Sequence, residues 1–298
     1  MELCLGTVQF GMKYGIHGKE PPELEECIKC IDFATQNGIT SLDTAEAYGN
    51  AEEIIGYFIA KKKIQRNCLQ INTKLKPHSL DKISSEKYYE TIKNNLVLSL
   101  KKLNTDYVDS FMFHTSSYVF NDEMIYALKR IKTEGFTNKI GISLYYTDEL
   151  RACSKQPIDV IQFPFSIFDQ RLINEKSLIK ILENNTEINT RSALLQGVLL
   201  TEPEKIPNNL SQSKPFIESL NYKCQCAGLN VLDVIIGFVK KEKSITKLVF
   251  GVHDINQLKG IINAFNCDIA TKEIVQISKE YAAMNKSIII PSLWNTAE

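Results

Sequence analysis

Gly38-Ile39-Thr40-Ser41-Leu42-Asp43-Thr44-Ala45-Glu46-Ala47-Tyr48-Gly49 is the stretch on which the reading of this chain turns. Its first six residues read as a short buried strand that ends on a carboxylate, and a polar loop follows. From 51 to 60 the apolar residues recur at helical spacing. The stretch is therefore the start of one strand–loop–helix unit.

Working outward, the same unit repeats. Upstream, Leu3-Cys4-Leu5-Gly6-Thr7-Val8-Gln9-Phe10 reads as a strand. An amphipathic helix over 23–37 follows, with Leu24, Cys27, Ile28, Ile31 and Ala34 on one face and Gly38 placed to end it. Downstream, strands are predicted at 69–74, 108–114, 139–143, 159–163, 188–192 and 247–251. Helices are predicted at 86–103, 122–133, 148–153, 175–183 and 256–265. Strands alternating with helices imply a parallel sheet covered on both faces. Eight units in 298 residues suit an α/β fold of the (β/α)8 TIM-barrel type, one domain over 1–298 with its active site at the C-terminal mouth. The pattern alone also fits an open doubly wound sheet. The repeat breaks once, at the polar segment 201–215, which is expected either as a lid over the mouth or as a disordered surface insertion. Helices over 216–226, 231–240 and 271–286 complete the pattern.

Composition narrows the function classes. Apolar residues make up 44% and charged residues 23%, so a core can form without disulfides or metal. Lys+Arg and Asp+Glu balance at 35 each, which gives no electrostatic reason to expect nucleic acid as a partner. The basic run Lys61-Lys62-Lys63, with Arg66 behind it, is expected in the exposed last turn of a helix. Met1-Glu2-Leu3-Cys4-Leu5-Gly6 lacks the features of a signal peptide, and no apolar run reaches membrane-spanning length. A cytoplasmic protein without membrane partners, monomeric or weakly homo-oligomeric, is the expectation. The eight cysteines are scattered and read as free thiols. Cys27 and Cys30 share a helix face with Ile31 and Ala34, as small core residues do, and Cys224 and Cys226 find no histidine pair to share a metal with.

In a barrel, polar residues at C-terminal strand ends are candidates for chemistry. Asp43, Lys74 and His114 close three consecutive predicted strands, and Tyr48 lies five residues beyond Asp43. A phenol is a poor acid at neutral pH, and a nearby ammonium lowers its pKa. Lys74 is expected to supply that ammonium, Asp43 to hold Lys74, and His114 to polarise a carbonyl oxygen. Such a set protonates oxygen as hydride reaches carbon. Taken singly, the aspartate also reads as a helix cap, the lysine as a snorkelling surface residue and the histidine as a core residue.

The stretch 38–49, the opening Leu5-Gly6-Thr7-Val8-Gln9-Phe10-Gly11, the strand bearing Lys74 and Asp106-Tyr107-Val108-Asp109 before His114 resemble, in order, the aldo-keto reductase superfamily. The resemblance implies a nicotinamide cofactor, NADPH or alternatively NADH, and a small-molecule carbonyl substrate. It implies cofactor contacts from Gly6, Thr7, Ser143, Gln162, Arg191, Ser192, Leu194, Gln196, Gly197, Gly251, Val252, His253 and Gln257. Three departures stand out. Leu144 replaces an Asn that the family usually has after Ser143. Arg191 stands where a Tyr often stacks on the nicotinamide. The segment Gly251-Val252-His253-Asp254 lacks the Lys or Arg that many members offer to the 2′-phosphate of NADP. The early start of strand one is similar to bacterial branches, some of which act in sugar or surface-polysaccharide metabolism. Substrate choice is expected from the loops 11–22, 115–121 and 201–215. A non-catalytic cofactor sensor on the same fold is the alternative function. A metal-dependent hydrolase using His114 and Asp43 is the third.

Overall fold

The computed structural model describes residues 1–294, so the last four residues of the expected 1–298 domain lie outside the described residues. Eight parallel strands, β1 (Glu2–Gly6), β2 (Ser41–Asp43), β3 (Gln70–Leu75), β4 (Val108–Phe113), β5 (Thr137–Ser143), β6 (Val160–Pro164), β7 (Glu187–Arg191) and β8 (Lys247–Gly251), close into a barrel in sequence order. The seam joins β1 to β8, with Gly6 opposite Gly251. Gly6 also lies opposite Asp43 on β2. The (β/α)8 architecture follows from the alternation of elements, and the closed ring excludes the open doubly wound sheet.

Helices such as Leu24–Gln36, Ala51–Lys62, Tyr88–Lys102 and Asp122–Thr133 bury one apolar face each against the outside of the strands. Cys27, Cys30, Ile31 and Ala34 are all buried on the first of them. Gly38, just past its end, has φ +80, the left-handed conformation that glycine adopts at least cost. The basic run ends Ala51–Lys62 as expected; Lys61 and Lys62 pair with Glu25 and Asp32 at 2.9 and 2.8 Å. Arg66 is committed to Asp109 at 2.6 Å.

Three elements depart from expectation. The first strand stops at Gly6, because Thr7 turns the chain and Val8–Gly11 forms a helical turn that buries Phe10. The segment 201–215 folds into tight turns, Pro203–Lys205 and Asn208–Ser213, with Ile206 and Leu210 buried. Its share in the mouth cavity is Thr201 alone. The helix expected over 271–286 is broken into Thr271–Ser278, a tight turn and Lys286–Ile289. Tyr281 sits in the break, fully buried, with its ring 4.7 Å from that of Phe168. Among the described residues no single helix is long and apolar enough to cross a membrane.

Barrel interiors of this kind are dominated by branched aliphatic residues. Here a belt below the mouth is polar. Ser41 donates to Cys4 Sγ at 3.3 Å, Asn72 Nδ2 donates to Ser41 at 3.3 Å, and Ser110 donates to Asn72. Lys247 joins from β8 through Ser41 and Gln70. A buried polar group keeps its cost low only when partnered, and this chain of bonds supplies the partners.

Candidate active site

The end of β2 is fixed first. Thr7 donates to the carbonyl of Asp43 from both its backbone N–H, at 2.9 Å, and its hydroxyl, at 3.1 Å. Thr7 is fully buried, so its role lies behind the cavity wall and not in it. The Asp43 carboxylate accepts at one oxygen from Lys74 Nζ, 2.7 Å, and at the other from Gln162 Nε2, 2.8 Å. Lys74 Nζ also donates to the carbonyl of Thr44 at 2.9 Å. Lys74 is fully buried, and an ion out of water persists only with such partners.

Tyr48 is placed by two glycines. A Cβ on Gly11 would come 1.7 Å from the Tyr48 carbonyl oxygen, and one on Gly49 would come 2.0 Å from the Gly11 oxygen. Only residues without side chains let the turn after β1 and the loop after β2 touch this closely. The contact sets Tyr48 on the cavity wall with Lys74 Nζ 5.2 Å from its ring centre. His114, just past β4, meets the Tyr48 ring edge-on with centres 5.6 Å apart. The three strand-end residues and Tyr48 therefore gather in one corner.

Protonation in that corner differs from expectation in one respect. Burial, and then the Asp43 carboxylate, push the Tyr48 phenol above its ordinary range. No net lowering results, because burial and the Asp43 charge outweigh the lowering by the Arg191 cation. The phenol keeps its proton, which is the form a proton donor requires. Burial, Lys74 and Arg191 push the His114 imidazole down to about 3, so it is neutral. Its buried Nδ1 has no partner among the described residues.

A cavity of about 590 Å³ runs from this corner outward over the seam. Its walls include Gly6, Gln162, Arg191, Ser192, Leu194, Gln196, Gly197, Gly251, Val252, His253 and Gln257 of the expected set. Ser143 is buried and lies outside the lining. The segment after β7 curls through left-handed conformations at Ser192, Leu195, Gln196 and Gly197, with φ 63, 48, 55 and 97. Non-glycine residues held this way store strain, and such strain clusters at ligand clamps. Arg191 lies 4.3 Å over the Tyr145 ring and donates to the Leu144 carbonyl at 3.1 Å. The Leu144 side chain itself is buried away from the cavity.

Beyond β8, Asp254 is a helix cap: its carboxylate accepts from the Gln257 N–H at 2.9 Å at the start of Ile255–Asn266. Gln257 in turn accepts from the His253 N–H at 3.0 Å. Tyr14, Ile16, His17 and Lys19 complete the wall from a small hairpin after β1, closed by a bridge between Tyr14 and Lys19. These residues were not individually legible. The segment 11–22 could be marked as a loop, but its side chains carry no periodic signal.

The volume falls within the range of small-molecule sites. Gln9 Oε1 is buried in the wall without a partner among the described residues, an acceptor that suits a ligand donor. The N-terminus of Ile255–Asn266 favours an anion. These walls offer amide, backbone and helix-end contacts of the kind a phosphate-bearing dinucleotide takes. Among the described residues no group of three His, Cys, Asp or Glu could hold a metal ion.

Residues 2–282 match the model of the aldo/keto reductase family. The chain is 27% identical over 271 residues to the uncharacterized oxidoreductase YqkF of Bacillus subtilis, covering 85% of this chain and 87% of that protein. It is 31% identical over 191 residues to an NADH-specific methylglyoxal reductase of Escherichia coli, covering 58% of each. In three dimensions it is similar to the holo form of aldo-keto reductase AKR11C1 from Bacillus halodurans, with TM-score 0.73, 22% identity, 96% of this chain and 94% of that one.

Proposed function

The chain belongs to the aldo/keto reductase family, an oxidoreductase family, and on that premise we propose that it reduces a small aldehyde or ketone to an alcohol with a reduced nicotinamide dinucleotide. The observation that carries this reading is the corner of Tyr48, Lys74, Asp43 and His114, of which Asp43 and Tyr48 line a cavity of about 590 Å³. When bound, the nicotinamide supplies hydride to the carbonyl carbon and leaves oxidised.

The protein's own residues do the rest. Neutral His114 donates a hydrogen bond to the carbonyl oxygen and draws electrons from its carbon. Tyr48 gives its proton to the same oxygen as negative charge develops there. The phenolate left behind is stabilised by the Lys74 ammonium, 5.2 Å from the ring centre. Asp43 holds that ammonium in place at 2.7 Å, and Gln162 fixes Asp43. Gln162, Gln196 and Gln9 would offer amide contacts to the bound cofactor, and the turn 192–197 would offer it backbone groups. Arg191, held on Tyr145 and the Leu144 carbonyl, presents a flat cation to the cavity.

The Escherichia coli relative makes methylglyoxal the first aldehyde to try, and the bacterial resemblance adds sugar-derived aldehydes. The test follows NADPH and NADH absorbance with such a panel. Oxidation of either cofactor with formation of the alcohol is expected. Tight cofactor binding without turnover on the whole panel would favour the sensor reading. Binding of neither cofactor would overturn the proposal.

A further inference from the structure

The corner after β8 offers no lysine or arginine to a 2′-phosphate, and its one acid, Asp254, is committed to a helix cap. A cation nevertheless reaches this part of the cavity from the opposite wall. Lys19 lines it together with His253, Asn256 and Gln257. Among the described residues no carboxylate pairs with Lys19; its neighbour Glu20 is taken by Lys13 at 2.5 Å.

Lys19 is not a side chain on a loose loop. The bridge from Tyr14 to Lys19 closes the hairpin, and Gly15 and Gly18, at φ +85 and +52, make its turn. The hairpin is tied across the cavity to the segment after β7. Ile16 N–H donates to the Gln196 carbonyl at 3.2 Å, and His17 Nε2 lies 3.2 Å from the Thr201 hydroxyl. After burial, the Lys19 ammonium is the next cause that pushes the His253 imidazole below its ordinary value, so the two share one field.

We propose that Lys19 is the residue that selects the 2′-phosphate of NADPH, so that the hairpin after β1, and not the corner after β8, decides between the two cofactors. A phosphomonoester carries about −1.5 to −2 charges at neutral pH, whereas NADH presents only hydroxyls at this position. An ammonium with no carboxylate of its own gains most from such a partner. This inference rests on the cofactor reading above.

The test is fluorescence titration of the whole protein with NADPH and with NADH, free of carbonyl substrate, for wild type, Lys19→Ala and Lys19→Arg. Lys19→Ala is expected to weaken NADPH binding about tenfold. NADH binding should stay within about twofold, and Lys19→Arg should retain the preference. Added salt should weaken NADPH more than NADH in the wild type, and less so in Lys19→Ala. Equal weakening for both cofactors would assign Lys19 to the shared pyrophosphate and overturn the inference. So would unchanged binding of both. If the wild type binds neither cofactor, the proposed function fails instead.

Discussion

The inner corner and the outer rim of the cavity are built in different ways. In the corner, both oxygens of Asp43 are bonded, Lys74 is fully buried, and each part hangs from the end of a strand. At the rim, Lys19, His17 and Asn256 are exposed and belong to a hairpin and to the start of a helix. Strand ends inherit the rigidity of the barrel, whereas the rim owes its shape to a few hydrogen bonds. The corner is therefore suited to chemistry common to many substrates, and the rim to choosing what enters.

Substitutions can break that contrast. The largest effect is expected from Tyr48→Phe, which should lower carbonyl reduction by about 10²- to 10⁴-fold while cofactor titration stays unchanged. Near-normal turnover would remove Tyr48 from the chemistry. Next, Lys74→Met should cost about 3–5 kcal/mol in urea unfolding, because Asp43 would stay buried without its cation. A loss below about 1 kcal/mol, the scale of a surface pair, would show that the corner is looser than its geometry implies.

The third prediction concerns pH. Folding holds His114 neutral down to about 3, while the unfolded imidazole titrates near 6.5. Between these values the unfolded chain binds the extra proton, so stability is fully present above about 6.5 and is lost as pH falls towards about 3. The contribution approaches about 1.4 kcal/mol per pH unit within that window. Urea unfolding of His114→Gln should show a shallower acid limb than the wild type; parallel limbs would contradict it. The smallest effect belongs to the rim. Asp254→Ala removes a helix cap and should cost about 1 kcal/mol, read from the same unfolding curves.

The same contrast explains what the sequence made legible. The helices 122–133 and 231–240 and the strand 247–251 have the bounds expected from apolar spacing and Gly or polar ends. Asp43, Lys74 and His114 were visible because strand ends follow from periodicity, and Tyr48 because its loop is short. Three things were hidden. Thr7 and Ser143 lie behind the wall, and burial of a polar residue depends on tertiary partners. The Tyr48 phenol moves up and not down, because burial first, and then the Asp43 charge, oppose its ionisation, and both depend on sequence-distant groups coming together. Lys19 faces the cavity because a hairpin folds back on Gln196 and Thr201, a contact no periodic pattern announces.

The seam between β1 and β8 carries a consequence in time. Gly6 and Gly251 come from nearly opposite ends of the chain, and the cavity wall is drawn from both sides of their junction. Until the last strand is made, the seven before it cannot close a ring, and the edges at β1 and β7 lack their partner. The last strand must arrive before either the ring or the binding groove exists. Pairings this distant in sequence make folding slow. A ligand of the groove then acts as a clasp on the newborn chain, since it binds only a molecule whose two ends have already met.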